Sequence, residues 1–257
     1  IFVEGCSANF LFPAFAELIR YPLHEYGISI VNIGNTAFER YVKLFSRSGD
    51  DRINLPISVV TDVDVRPMEF YVDKKESLEI YVIENQDQYY EILEESGESI
   101  ELDEEELPFG QIFSTFKKLK NDFGLENVPN EEELKNKVSQ KLNKKYFDKL
   151  TQEKKNSITQ KYAPYNANKK IFVAPEWTLE YSLSKSPLAE LLWKSIHETR
   201  YKNPINISNM SKFEMINDQI INNRDSISSQ LAYDIFKPVN DKIVSKAIVA
   251  QKLAIEI

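Results

Sequence analysis

Asp62 and Asp64 stand two residues apart at the end of an apolar run, Leu55–Pro67, LPISVVTDVDVRP. In an extended backbone, residues i and i+2 point to the same side, so both carboxylates are expected to face one way. Two like charges held together cost free energy unless a cation neutralises them. Paired acids at the carboxyl tip of a strand therefore suit a magnesium or manganese ion, in the crevice where open α/β sheets place ligands. Glu4 has the same placement, because Ile1-Phe2-Val3 is a short apolar strand that runs into Glu4-Gly5. Glu180 follows another apolar run, Ile171-Phe172-Val173-Ala174. It either reaches the same edge or is an acid of a helix's first turn, favoured there by the helix dipole. All four are hard oxygen donors, the kind that magnesium and manganese prefer. The Asp-x-Asp pair by itself is short and acids are common in loops, so for the pair alone a solvated turn is the better account.

The elements that must position these acids are legible as alternating periods. Most of Leu55–Thr61 is apolar and suits a strand buried on both faces. Between Glu4 and Asp62, Ala8 to about Tyr26 has Leu11, Ala14, Phe15, Leu18 and Ile19 at the spacing of one buried helix face, with Ser7 as N-cap. Pro13 sits early enough in that helix to be tolerated. Gly27–Gly34, GISIVNIG, reads as a second strand and Thr36–Ser46 as a second helix. The order β-α-β-α-β implies a parallel sheet with right-handed crossovers. Three strands then deliver their carboxyl ends to one edge, and two of those ends carry acids.

Four separated stretches resemble one family. VEG after the first strand, GISIVNIGN in the second, VVTDVDVRP in the third and IFVAPEWTLEYSLS at Ile171–Ser184 resemble the Toprim domain of OLD-family (overcoming lysogenization defect) nucleases. The C-terminal SKAIVAQKLAIEI, Ser245–Ile257, resembles the family's closing helix with a functional lysine, here Lys246. The resemblance covers about half of the chain and implies a Toprim-like parallel sheet flanked by helices. It implies a divalent-metal-dependent DNA endonuclease that works by a two-metal mechanism with Mg2+ or Mn2+. Glu4, Asp62 and Asp64 would be catalytic metal ligands, Glu180 a further ligand, and Lys246 a positive charge beside the scissile phosphate. The family is similar to the nuclease subunit of the Gabija anti-phage system, which implies DNA and a helicase-like defence partner, and a homo-oligomer. OLD proteins join an ABC-type ATPase to the Toprim unit, and the chain holds no GxxxxGK[ST] loop. The resemblance thus places the ATPase upstream of Ile1. One position departs from the pattern. The family has a second glutamate four residues after the first, and here that position is Ala8.

The remaining composition sets bounds. The 257 residues are 42% hydrophobic and 28% charged, as in an ordinary globular protein, with a net charge of −8. No apolar run has the length of a membrane span, and a lone cysteine, Cys6, fits the cytoplasm and excludes internal disulfides. Two histidines and one cysteine make a zinc site a poor fit. Cys6 is expected to pack beside the site as a small apolar residue.

Charge shifts sharply along the middle of the chain. Residues 67–114 carry 15 acids against 2 lysines, and residues 115–170 carry 14 lysines against 7 acids. Lys135, Lys137, Lys141, Lys144, Lys145 and Lys149 interleave with Leu134, Val138, Leu142, Tyr146 and Phe147 at helical spacing. This reads as an amphipathic helix whose outer face is either simply solvated or in contact with DNA phosphates. The expected organisation is a first Toprim part at 1–66, a mainly helical insertion at 67–170, and completion of the core with C-terminal helices at 171–257. In the core's last part, Thr178 or Ser186 is expected to cap one helix, and Asn240 or Asp241 the final helix, with Ile243, Ala247, Ala250 and Ala254 on one side. Trp193, Leu191 and Leu192 read as core.

Two other functions fit the same residues. With Ala8 in place of an acid, the domain is a catalytically inactive DNA-binding or assembly module. Alternatively it is another Toprim enzyme, a topoisomerase or primase fragment, and a topoisomerase needs a tyrosine nucleophile that none of the 13 tyrosines identifies by motif.

Overall fold

The computed structural model describes residues 1–45, 55–73, 144–163 and 169–257. The chain divides into two compact units, one formed by Ile1–Val65 with Leu150–Ile257 and the other by Arg66–Lys149. The proposed insertion at 67–170 falls mostly outside the described residues, as do the acidic block and Lys135, Lys137 and Lys141. Within the second unit, Phe70 meets Tyr71 edge-on at 5.1 Å, and Tyr71 stacks on Phe147 at 5.5 Å.

The first unit is built on a parallel sheet. Its strands are β1 (Phe2–Val3), β2 (Val31–Asn32), β3 (Ile57–Thr61) and β4 (Lys169–Val173), in the order β2-β1-β3-β4. All three pairings are parallel, with Phe2 opposite Val31 and Val59, and Val59 opposite Ile171. The fold is α/β, as expected from the alternating periods. Because the ladders share one direction, β1, β3 and β4 end side by side. Glu4, Asp62 and the Ala174–Thr178 turn follow those ends. The ladder continues past the strands, since the Ala174 amide donates to the Thr61 carbonyl at 2.9 Å.

The second strand is shorter than expected. Of Gly27–Gly34 only Val31–Asn32 pairs as strand, and Val31 is exposed at the sheet edge. An edge strand with one neighbour has little packing to hold more residues extended.

Helices α1 (Cys6–Leu18), α2 (Phe38–Leu44) and α3 (Lys144–Tyr162) are followed after β4 by α4 (Leu179–Ser184) and α5 (Ala189–Arg200), then α6 (Ile207–Asn222), α7 (Ser229–Asn240) and α8 (Lys246–Glu256). One core cluster joins Phe2, Ile57 and Val59 of the sheet to Phe38 and Val42 of α2 and Tyr162 of α3. Each such side chain contributes about 1.5–3 kcal/mol when fully buried. Helix α1 packs on α8, α8 on α5, and α7 on α4. Phe236 meets Trp177 and Tyr181 edge-to-face in the core, with Trp177 and Phe236 at 5.0 Å. Leu192 and Trp193 are buried, as their apolar character implies, whereas Leu191 is only partly so.

Several local expectations are corrected. Helix α1 stops at Leu18, not near Tyr26, because Arg20 takes the left-handed conformation (φ 62°) and the Tyr21 amide turns back to the Ala16 carbonyl at 2.8 Å. Its buried residues are Ser7, Leu11 and Ala16, while Leu18 and Ile19 are exposed. Ser7 does not cap the helix. Gly5 is the N-cap, with no side-chain cap bond, and Ser7 lies inside the helix. Cys6 is exposed rather than packed, with its sulfur 3.5 Å from Asn32 Nδ2. The last helix is capped by Ser245, and Asp241 instead follows the end of α7. Its buried residues are Val249, Ala250 and Leu253, so of the expected side Ala250 is buried, while Ile243 precedes the helix and is exposed.

Candidate metal centre

Glu4 extends from the end of β1, between Val3, which is fully buried, and Gly5. Its carboxylate is part-buried, and Thr61 Oγ1 donates to Glu4 Oε2 at 3.2 Å across 57 residues of chain. Burial raises the Glu4 carboxyl above its ordinary value, the Asp64 charge adds to this, and the Thr61 hydroxyl partly offsets it.

Asp62 follows β3. The Leu179 amide, the first of α4, donates to Asp62 Oδ1 at 2.9 Å. The strand end and a helix amino terminus thus hold one carboxylate between them. Burial pushes the Asp62 carboxyl up to about 7. The Lys246 ammonium opposes the rise, and the Glu180 and Glu4 charges reinforce it.

Glu180 is placed by α4, whose N-cap Thr178 accepts the Tyr181 amide at 3.2 Å. Its side chain is 2% exposed. Lys246 Nζ lies 2.9 Å from Glu180 Oε2, and beyond this ion pair neither carboxylate oxygen has a hydrogen-bond partner among the described residues. Lys246 is the first residue of α8. Burial acts to lower its ammonium, but the Glu180, Asp62 and Glu4 carboxylates outweigh that and hold it above the ordinary lysine value.

Glu4, Asp62, Glu180 and Lys246 line one cavity of about 430 Å³, together with Ser7, Ala8 and the carboxyl ends of β3 and β4. Ala8 sits in the first turn of α1 and is among the lining residues. Asp64 stands apart from this lining. The strand stops at Thr61, and Asp64 takes a left-handed backbone (φ 56°) with its amide on the Trp177 carbonyl at 2.9 Å. The simple alternation of an extended chain therefore does not run through it, and its side chain is exposed. Its charge still acts on Glu4.

The donor set fits a hard divalent cation. It is oxygen-only, two of its carboxyls are raised chiefly by burial and further by neighbouring acids, and a third is buried with one oxygen unpartnered among the described residues. Among the described residues, no three His, Cys, Asp or Glu side chains are set closely enough to form a ready-made ion cage.

Sequence reasoning missed Thr61, the Leu179 amide and Ser7. Thr61 had a usable signal, a polar residue at the last position of a buried strand and opposite the Glu4 strand. The Leu179 amide had none, because a backbone donor leaves no residue type to read. Among the described residues, no helix is long and apolar enough to cross a membrane.

No match is found among curated proteins. Among solved structures, the chain is similar to the C-terminal region of the Xanthomonas campestris pv. campestris OLD protein, at 21% identity and a TM-score of 0.43 over 100% of this chain and 82% of that one. It is also similar to the C-terminal region of the Burkholderia pseudomallei OLD protein, at 20% identity and a TM-score of 0.40 over 99% of this chain and 85% of that one. Residues 1–64, which contain Glu4, Ala8, Asp62 and Asp64, match the family model described as "Overcoming lysogenization defect protein-like, TOPRIM domain".

Proposed function

We propose that this chain is the divalent-metal-dependent, DNA-cleaving Toprim part of an OLD-like endonuclease. The observation that carries the proposal is the gathering of Glu4, Asp62, Glu180 and Lys246 around one cavity at the carboxyl ends of parallel strands. The family-model match to residues 1–64 supports it independently.

In this reading Glu4, Asp62 and Glu180 hold the ions, with Asp64 at the rim. Bound Mg2+ or Mn2+, in a two-metal arrangement, supplies charge neutralisation on the phosphate and a water acidic enough to attack near neutral pH. The protein's own part is positioning. The Leu179 amide fixes the rotation of Asp62, Thr61 does the same for Glu4, and the ammonium of Lys246 offers positive charge to the scissile phosphate. The wider reading is a role in anti-phage defence, with an ATPase region upstream in the same protein, a homo-oligomeric assembly and a helicase-like partner of the Gabija kind.

A second reading has one specific observation in its favour. Ala8 lines the cavity at the position where the family pattern puts a carboxylate, so in this reading the copy holds DNA or an assembly without cutting. A topoisomerase gains no support, because no tyrosine is among the described residues that line the cavity.

Plasmid cleavage in Mn2+ or Mg2+, by the chain and by Asp62→Ala, tests the proposal. Metal-dependent nicking lost in the variant supports the nuclease. Metal-independent nicking, or equal nicking by both, removes it.

A further inference from the structure

Lys246 is oddly placed for a surface lysine. As the first residue of α8 it sits at the end of the helix where the dipole is positive and a cation is disfavoured. Its half-exposed side chain turns toward the acids instead of outward into water, and its ammonium reaches a carboxylate that is almost entirely buried. Three acids face it: Glu180 in direct contact, and Asp62 and Glu4 through their charges. The same three are the oxygen donors of the cavity. A buried, ionised carboxylate without a counter-charge is strongly disfavoured, so while Glu180 is ionised a cation beside it is strongly favoured.

We propose that Lys246 is the resident counter-ion of this acid cavity and that a divalent cation takes its place at Glu180, releasing the ammonium toward the opening where DNA phosphate would lie. The proposal rests on the metal-binding reading given above and adds an exchange to it. Two cations compete for one carboxylate. The lysine keeps the apo chain folded, and the metal frees the lysine for the substrate. Ser245 caps α8 and so fixes the backbone that carries Lys246.

The test needs no catalysis. Mn2+ binding is measured by calorimetry for the wild-type chain, Lys246→Met and Lys246→Arg, with apo melting temperatures beside it. Lys246→Met is expected to bind Mn2+ about ten-fold more tightly, since one competing unit charge is gone from a half-exposed site. It is also expected to melt lower without metal and to gain more from Mn2+ than wild type does. Lys246→Arg keeps the charge and is expected to show no gain in affinity. On the wild-type chain alone, Mn2+ is expected to raise the reductive methylation of Lys246 several-fold, read by mass spectrometry against Lys194, which pairs with Glu256 well away from the cavity. Measurable Mn2+ binding that Lys246→Met leaves equal or weaker, or a Lys246 reactivity that Mn2+ does not raise, overturns the exchange and leaves the metal site standing. No Mn2+ binding by any form overturns both.

Discussion

The Leu179 amide donates a 2.9 Å hydrogen bond to Asp62 Oδ1 across 117 residues of sequence. The tip of β3 and the start of α4 are thereby fixed to each other at the carboxylate on which the proposed chemistry turns. An aspartate held by a helix's first amide cannot rotate freely, which is what a metal ligand requires.

Replacing Asp62 tests both chemistry and linkage. Its carboxyl titrates at about 7 in the folded chain, against an ordinary value of 3.8. Between those values the folded state holds a proton that the unfolded state has released. Its contribution to stability is therefore fully present below pH ~4 and is lost as pH rises toward ~7. Urea unfolding of the metal-free chain from pH 4 to 8 should show this fall, and Asp62→Asn should flatten it. Mn2+ affinity should rise by up to about ten-fold per pH unit below ~7 and level off above, as the competing proton is lost. A wild-type and Asp62→Asn pair with parallel stability profiles contradicts the raised value.

Ala8→Glu adds a carboxylate to the cavity. Metal-dependent nicking should increase by at least ~10-fold if that acid supplies a ligand or holds a metal-bound water, since such a ligand acts on transition-state charge. Without metal, thermal stability should stay similar or fall slightly. Alanine is the better helix former, and a further acid adds repulsion to Glu4. Equal, robust cleavage by both forms shows that position 8 is not a required ligand here.

Thr178→Ala removes the N-cap of α4. The expected loss is about 1 kcal/mol of stability in chemical denaturation. Glu180 and the Leu179 amide sit in the first turn that Thr178 starts, so Mn2+ affinity should weaken as well. A stability loss with unchanged Mn2+ affinity separates α4's packing from its placement of the acid.

The lysines of α3 offer a test of DNA contact. Lys144 and Lys145 are exposed on this helix. Charge reversal at both should weaken DNA binding and flatten the plot of log affinity against log salt by about 0.9 per lost phosphate contact. Unchanged affinity and slope return them to a solvated helix face.

The sheet was legible because its signals are local. Phe2-Val3, Ile57–Thr61 and Ile171–Val173 are apolar runs that end in polar turns, and the intervening helical periods allow only parallel pairing. Helix ends were less legible. Arg20 and Asp64 adopt left-handed backbone that their residue types do not announce, and this displaced both the end of α1 and the expected alternation at Asp64. Pro13 and Pro238 lie within α1 and α7, where tertiary packing overrides their local cost of roughly 3 kcal/mol each. Glu180 and Lys246 were named from sequence, but their mutual ion pair was not, because nothing local relates residues on two helices that far apart in the chain.

The neighbouring strands β3 and β4 are joined by the stretch from Asp62 to Asn168, and they pair in register from Ile57 opposite Lys169 to Thr61 opposite Val173. Chain closure is entropically tolerant of length. For a flexible connection, each doubling of its length costs only about 0.6 kcal/mol. The five ladder pairs that seat Asp62 next to the Ala174–Thr178 turn are thus nearly indifferent to how much chain lies between them. A single-residue slip in either strand, by contrast, would turn the ladder inside out and dismantle the site at once.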